Sequence, residues 1–104
     1  MKKNEGNKFD KNKVRYELIP VFSLRELAKI LTSGAIKYGD RNWEKGFAWS
    51  RAYGAAQRHL NAFWGGEDID KESGQPHLAH ALCEVMFLLE FTKTHKDKDD
   101  RNKL

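Results

Sequence analysis

The chain has a single cysteine, Cys83, and only two prolines, Pro20 and Pro76, in 104 residues. One cysteine excludes an internal disulfide and any zinc site built from several thiolates. Cys83 lies in an apolar run with no base in fixed relation to it, so it reads as packing rather than as a nucleophile. No stretch of about 18 apolar residues is present, which argues against a membrane span. The opening residues Met1-Lys2-Lys3-Asn4-Glu5-Gly6-Asn7-Lys8 are polar throughout and lack the apolar core of a signal peptide. A soluble, intracellular protein is expected. Familiar catalytic signatures are missing as well: there is no glycine-rich Walker loop, no Gly-x-Ser-x-Gly and no His-Asp dipeptide.

Nor does one sign of charge dominate. Lys and Arg number 19 against 15 Asp and Glu, a net charge of +4. Lys2, Lys3, Lys8, Lys11, Lys13, Lys96, Lys98, Arg101 and Lys103 lie in the two mixed-sign ends. Such a distribution is weak evidence for nucleic acid and suits a small anionic substrate equally well.

What is present suffices for one domain. Residues 1–13 are poor in apolar side chains and read as a flexible segment with Phe9 its only anchor. Val14 to Phe22 reads as an extended arm covering the core, because Pro20 lies inside it and no second strand candidate is near. Ser23 followed by Glu26 has the form of an N-cap with a capping box, ahead of Leu24, Leu27, Ala28, Leu31, Ala35 and Tyr38 at helical spacing. This predicts a helix over 23–38, stopped by Gly39. Ser50 caps a second helix over 50–64, and Pro76 opens a third over 76–93. Residues 94–104 alternate in charge and read as a fraying, solvated tail. The expected fold is all-α, a small bundle of three principal helices with an extended N-terminal arm over 14–93. So small a core leaves the bulky aromatics from Trp43 to Trp64 in need of cover, and a homo-oligomer, dimer or tetramer, is expected.

The third helix carries the chemistry. It is apolar almost all round apart from His77, His80 and Glu84, which at ~100° per residue fall within about 60° of one another. A buried stripe of ionisable groups needs partners, since an unpaired charge or unbonded imidazole in a core costs several kcal/mol. On the second helix His59 lies in a face lined by Ala52, Ala55, Ala56 and Ala62. The histidines pair with each other and with backbone, or they converge with Glu84 on a divalent metal. Between these helices Glu67, Asp68, Asp70 and Glu72 crowd one loop. Asp68, Asp70 and Glu72 alternate as at the start of a calcium loop, but the downstream Glu that such a loop requires is Ala79 here. Glu67, Asp68 or Asp70 lending an oxygen to the histidine site is the better reading, with Glu67 and Asp70 favoured. In the loop after the first helix, Arg41 and Lys45 are candidate phosphate donors and Trp43 a stacking plane for a base; Lys37, Asp40 and Asn42 lie in the same segment. Arg58 and Trp64 offer the same chemistry on the second helix.

Four blocks in one order then resemble a known family: Gly34-Ala35-Ile36-Lys37-Tyr38-Gly39-Asp40-Arg41-Asn42-Trp43-Glu44-Lys45-Gly46; Arg58-His59-Leu60; Gly66-Glu67-Asp68-Ile69-Asp70-Lys71-Glu72-Ser73-Gly74; and Pro76-His77-Leu78-Ala79-His80-Ala81. The chain is similar to the phage-associated dATP/dGTP diphosphohydrolases, and through them to the MazG-like all-α pyrophosphohydrolases. The resemblance implies a helical oligomer in the cytoplasm of a bacterium or phage-infected host. It also implies metal-dependent hydrolysis of a purine deoxynucleoside triphosphate to the monophosphate and pyrophosphate. Where the wider group uses Glu-rich helices on Mg²⁺, this chain has Arg58-His59 and His77-Leu78-Ala79-His80, and imidazole suits Mn²⁺, Co²⁺ or Zn²⁺ better than Mg²⁺. The expected site has His59, His77, His80 and Glu84 on the metal, with Glu84, Glu67 and Asp70 as catalytic carboxylates. Lys37, Asp40, Arg41, Asn42, Trp43, Lys45, Arg58 and Trp64 are expected on the substrate. The competing reading is a non-catalytic module binding a nucleotide or a protein, with the histidines as core packing.

Overall fold

The computed structural model describes residues 5–104, so positions 1–4 of the expected flexible segment lie outside the described residues. Three α-helices follow one another, α1 Val21–Tyr38, α2 Trp49–Trp64 and α3 His77–Thr94, with short 3-10 turns at Tyr16–Leu18, Asn42–Lys45 and Lys96–Lys98. No strand is present among the described residues. The all-α bundle is as the hydrophobic spacing requires.

Two of the expected caps are not the ones used. Helix α1 begins at Val21 directly after Pro20, with no side-chain cap, and Ser23 sits inside its first turn. Spacing alone favours Ser23, but the proline ring fixes φ near the helical value and the N–H it lacks is not needed at a helix start. Helix α2 begins at Trp49 after Ala48. Ser50 is its second residue, and the acceptor for its first turn comes from the far end of the chain. Asp100 accepts from the Ser50 backbone N–H at 2.9 Å and from the Ser50 hydroxyl at 2.5 Å. A carboxylate there also faces the positive end of the α2 dipole.

The charged tail is therefore not a fraying end. The Arg101 guanidinium lies over the Trp49 ring at 4.8 Å, and the Trp49 indole N–H donates to the His95 carbonyl at 3.0 Å. His95 Nε2 in turn bonds the Glu44 carbonyl at 2.7 Å. Its ring rests on Gly46, where φ is +83° and an added Cβ would come within 2.7 Å of the imidazole. Alternating charge signals solvent only where no helix end or indole face is available to it.

The arm departs from expectation in the other direction. Val14, Tyr16, Leu18, Val21 and Phe22 are all at least 66% exposed, so the arm leaves the core uncovered within one chain.

Helix α3 is the central element, packed along α2 on one side and α1 on another. Its Ala79 and Cys83 join Ile30 of α1 in the buried core, with Leu27, Leu31, Met86 and Phe87 around them. Ala52 and Ala56 are buried on α2, and Ala81 on α3. Small side chains let these helices approach closely. At the far end of α3, Phe91 is fully buried among Phe47, Phe87, Trp43 and His95. The third stripe of α3 has no neighbour among the described residues: Leu78, Leu82, Val85 and Leu89 are 45%, 42%, 50% and 69% exposed. A helix apolar all round is thus buried on two sides only. No helix of the described residues is long and apolar enough to cross a membrane.

Candidate active site

The segment joining α2 to α3 folds back on itself and delivers its carboxylates to the start of α3. Asp70 N–H donates to the Gln75 carbonyl at 2.9 Å, Gly74 N–H to the Asp70 carbonyl at 2.7 Å, and His77 N–H to the Asp68 carbonyl at 3.0 Å. Ile69 and Pro76 form an isolated antiparallel bridge. The Gln75 amide ties the loop to α1 by donating to the Ser33 hydroxyl at 2.8 Å.

The three histidines of the two helices meet where this loop closes. His59 Nδ1 and His77 Nδ1 are 2.9 Å apart, and His77 Nε2 is 2.7 Å from Glu67 Oε1. The result is a carboxylate–imidazole–imidazole chain running from the loop through α3 to α2. His80 lies parallel to His59, with ring centroids 4.5 Å apart and planes 8° from coplanar orientation. Its Nε2 contacts the Ser73 hydroxyl at 2.7 Å and stands 3.6 Å from Asp70 Oδ2. His77 is buried, and His59 and His80 are half-buried. Burial pushes the His59 imidazole below its ordinary value, helped by the charges of His80 and His77. Burial likewise lowers His80, against the pull of Asp70. Both rings are held toward the neutral form, in which one nitrogen keeps its lone pair. For Asp70 burial acts upward but is outweighed by hydrogen bonds from the Glu72 backbone and the Ser73 hydroxyl, which lower its carboxyl.

Glu84 lies one turn beyond His80 on α3. Its Oε2 is buried without a hydrogen-bond partner. Burial raises its carboxyl to about 7, opposed by the Arg58 guanidinium. The sign for stability follows. The native state holds this proton more tightly than the unfolded chain, so stability is greatest below about 4.5 and falls as pH rises through about 7. The loss is about 1 to 3 kcal/mol once partial exposure is allowed for. Glu84→Gln is expected to abolish that fall and to be the more stable protein above pH 7, read from melting temperatures across the pH range without added metal. Parallel curves for the two proteins would show that Glu84 carries no such strain. Cys83, its neighbour, is buried with its thiol pushed up to about 12, an inert packing group.

The expected substrate residues fall in two places. Lys37, at the end of α1, is exposed with its ammonium over the Tyr38 ring at 5.1 Å, and its pKa is raised by Tyr38 first and then by Glu72 of the acidic loop. Arg58 precedes His59 and acts on Glu84. Trp64 ends α2 beside the acidic loop and is 88% exposed. The other group lies further along α3: Trp43 stacks on Phe87 with centroids 5.0 Å apart. Phe87 follows His80 by two turns, about 10 Å along the axis. One face of Trp43 is therefore covered. Arg41 pairs with Glu44 at 3.6 Å, and Asp40 and Lys45 are exposed in the same loop, with Asn42 half-buried. Ser73, Ser33 and Gln75 were not legible as site residues; the one signal was a serine three positions after Asp70 in a turn, a spacing that lets the hydroxyl reach the carboxylate.

The donor chemistry fits a divalent cation: two imidazoles and a carboxylate oxygen that is buried and unpartnered. Among the described residues, however, no three His, Cys, Asp or Glu side chains are already arranged to hold an ion. His59 bonds His77 and His80 bonds Ser73 instead, each through one ring nitrogen, while Glu84 Oε2 has no partner, so an ion would meet the second nitrogen of each stacked ring.

Residues 3–101 match the family described as dATP/dGTP diphosphohydrolase, N-terminal. A curated relative named dATP/dGTP diphosphohydrolase, from Salmonella phage PMBT28, is 35% identical over 96 residues, covering 92% of this chain and 33% of the relative. The chain thus spans about a third of that relative's length. No solved structure matches it. With the match running from residue 3 through the C-terminal strap that Asp100 and Arg101 lay against the start of α2, and taking in every member of the histidine cluster, the chain belongs to the dATP/dGTP diphosphohydrolase N-terminal family.

Proposed function

We propose that this chain is a nucleotide-hydrolysing module that cleaves dATP or dGTP to the monophosphate and pyrophosphate. The observation that carries this reading is the meeting of His59, His77, His80, Glu67 and Asp70 from two helices and a loop: Glu67, His77 and His59 form one hydrogen-bonded chain, and His80, bonded to Ser73 and 3.6 Å from Asp70, stacks on His59. The relative's name supplies the substrate class. His59, His80 and Glu84 would hold a divalent ion of the Mn²⁺, Co²⁺, Zn²⁺ or Mg²⁺ kind, with His77 bracing His59. Bound there, the ion would polarise a phosphoryl oxygen and offset charge on the phosphates. Without the ion the Glu84 carboxyl is held up to about 7 by burial, so metal binding at Oε2 would compete with a proton close to neutral pH. Arg58 and Lys37 bring cations to the phosphates, and Trp64 offers an uncovered plane to the base.

The working form is a homo-oligomer. The chain exposes 8892 Å², against about 6,000 Å² for a compact monomer of its mass. The unpartnered Leu78, Leu82, Val85 and Leu89 stripe is the surface a second copy covers.

The test is a panel of the dNTPs incubated with the purified chain and each metal in turn, or with chelator, followed by product analysis. Pyrophosphate with dAMP or dGMP is expected, and only with metal present. Nucleotide bound but never cleaved, whatever the metal, would favour the non-catalytic module. Affinity for duplex DNA that falls steeply with salt and ignores chelator would displace both readings.

A further inference from the structure

The hydrogen bonds around the cluster fix where each proton sits. Ser73 has one O–H to give, and its oxygen already accepts the Gln75 backbone N–H at 3.1 Å. Two acceptors compete for that proton: His80 Nε2 at 2.7 Å and the Asp70 carboxylate. An ionised carboxylate only accepts, whereas an imidazole nitrogen can accept or donate. If the hydroxyl went to His80, Asp70 would keep only the Glu72 backbone N–H as a donor and would face an unprotonated ring nitrogen across 3.6 Å, with no proton between the two acceptors. If it goes to Asp70, His80 Nε2–H donates to Ser73 and all the groups are satisfied. The same logic runs through the other chain. Glu67 takes the proton on His77 Nε2 at 2.7 Å, so His77 Nδ1 accepts from His59 Nδ1–H at 2.9 Å.

We propose that Ser73 is a positioning residue which, with Asp70, locks His80 as its Nε2–H tautomer, so that the stacked pair presents two free lone pairs, Nδ1 of His80 and Nε2 of His59. Glu67 does for His59, through His77, what Ser73 does for His80. The acidic loop therefore acts as a template for imidazole tautomers, and its carboxylates serve the site from behind. The geometry stands by itself; its consequence for turnover rests on the hydrolase reading above.

The test reads the tautomers directly, by long-range ¹⁵N correlation spectra of the histidine side chains in the metal-free chain at a pH where the rings are neutral. Wild-type His80 is expected with its proton on Nε2 and His59 with its proton on Nδ1. Ser73→Ala is expected to turn His80 into a mixture of tautomers, and Ser73→Thr, which keeps the hydroxyl, to restore the single form. With dGTP, Ser73→Ala is expected to lower kcat about tenfold while KM stays within about twofold. Wild-type His80 protonated on Nδ1, or an unchanged tautomer in a folded Ser73→Ala protein, overturns the proposal. Should that variant fail to fold, the wild-type and Ser73→Thr spectra decide it alone. Tautomers as stated in a chain that cleaves no dNTP would defeat the hydrolase reading and leave this assignment intact.

Discussion

His80→Ala is expected to remove pyrophosphate release from dATP and dGTP, by at least about 100-fold, while the protein stays helical. The effect is large because His80 is the ring that stacks on His59 and faces both Asp70 and Ser73. Removing it takes away one of the two nitrogens with a free lone pair and releases the loop carboxylate from its partner. The fold survives because His80 is only half-buried and water replaces it at the rim. The orphaned Ser73 and Asp70 are solvated rather than trapped, and the stability lost is about 1 kcal/mol. Turnover equal to wild type in a steady-state assay, alongside an unchanged circular dichroism spectrum, would leave the histidine cluster as packing.

Phe91→Ala carries the largest expected loss of stability. Phe91 is fully buried, edge-on to Phe47 at 5.1 Å and to His95 at 5.4 Å. Truncation removes the filling of that end of the bundle and leaves a cavity that the four surrounding rings are too rigid to close. Such changes cost about 3 to 5 kcal/mol. A domain of this size has a margin near the lower end of about 5 to 15 kcal/mol, so much of it is spent. The damage extends beyond the core: His95, which packs on Phe91, holds the Glu44 carbonyl and the Trp49 indole, so the loop after α1 and the start of α2 loosen with it. Denaturant unfolding measures this. A midpoint close to that of wild type would mean that the aromatic cluster at this end is not what secures the strap. His80 lies eleven residues away along α3, about 16 Å. Activity per folded molecule is accordingly expected to change little, which separates this variant from His80→Ala.

The helices themselves were legible, for a physical reason. Periodicity in apolar residues reports which side of a helix meets the core, and α1, α2 and α3 begin and end within two residues of where spacing and the Gly39 and Pro76 signals place them. Caps were less legible. A helix start accepts any oxygen that reaches it, and Asp100, fifty positions from Ser50, has no local signature. The tail reads as solvated for the same reason: its partners, the Trp49 face and the first turn of α2, are remote in sequence.

The histidine stripe was legible as a need for partners, since burying three ionisable groups on an apolar helix demands them whatever the fold. Which partners answer that need was not. Glu67 and Asp70 were already candidates, but a loop that rejoins α3 through Asp68, Gln75 and the Ile69–Pro76 bridge decides that Glu67 meets His77 and Asp70 meets His80. Trp43 shows the reverse. Its composition and neighbours fit a base-stacking loop, yet Phe87 claims one face because the loop packs on the far half of α3.

Sequence alone determined that this chain is a small all-α domain, that its second and third helices carry a histidine stripe in need of partners, and to which family it belongs, because periodicity, residue type and motif order are local properties. Tertiary structure decided how those residues are joined: which carboxylate serves which imidazole, which indole stays free, and which face of α3 is left without a neighbour. These depend on pairs of groups brought together across the chain, and no spacing along a strand of letters encodes the distance between them.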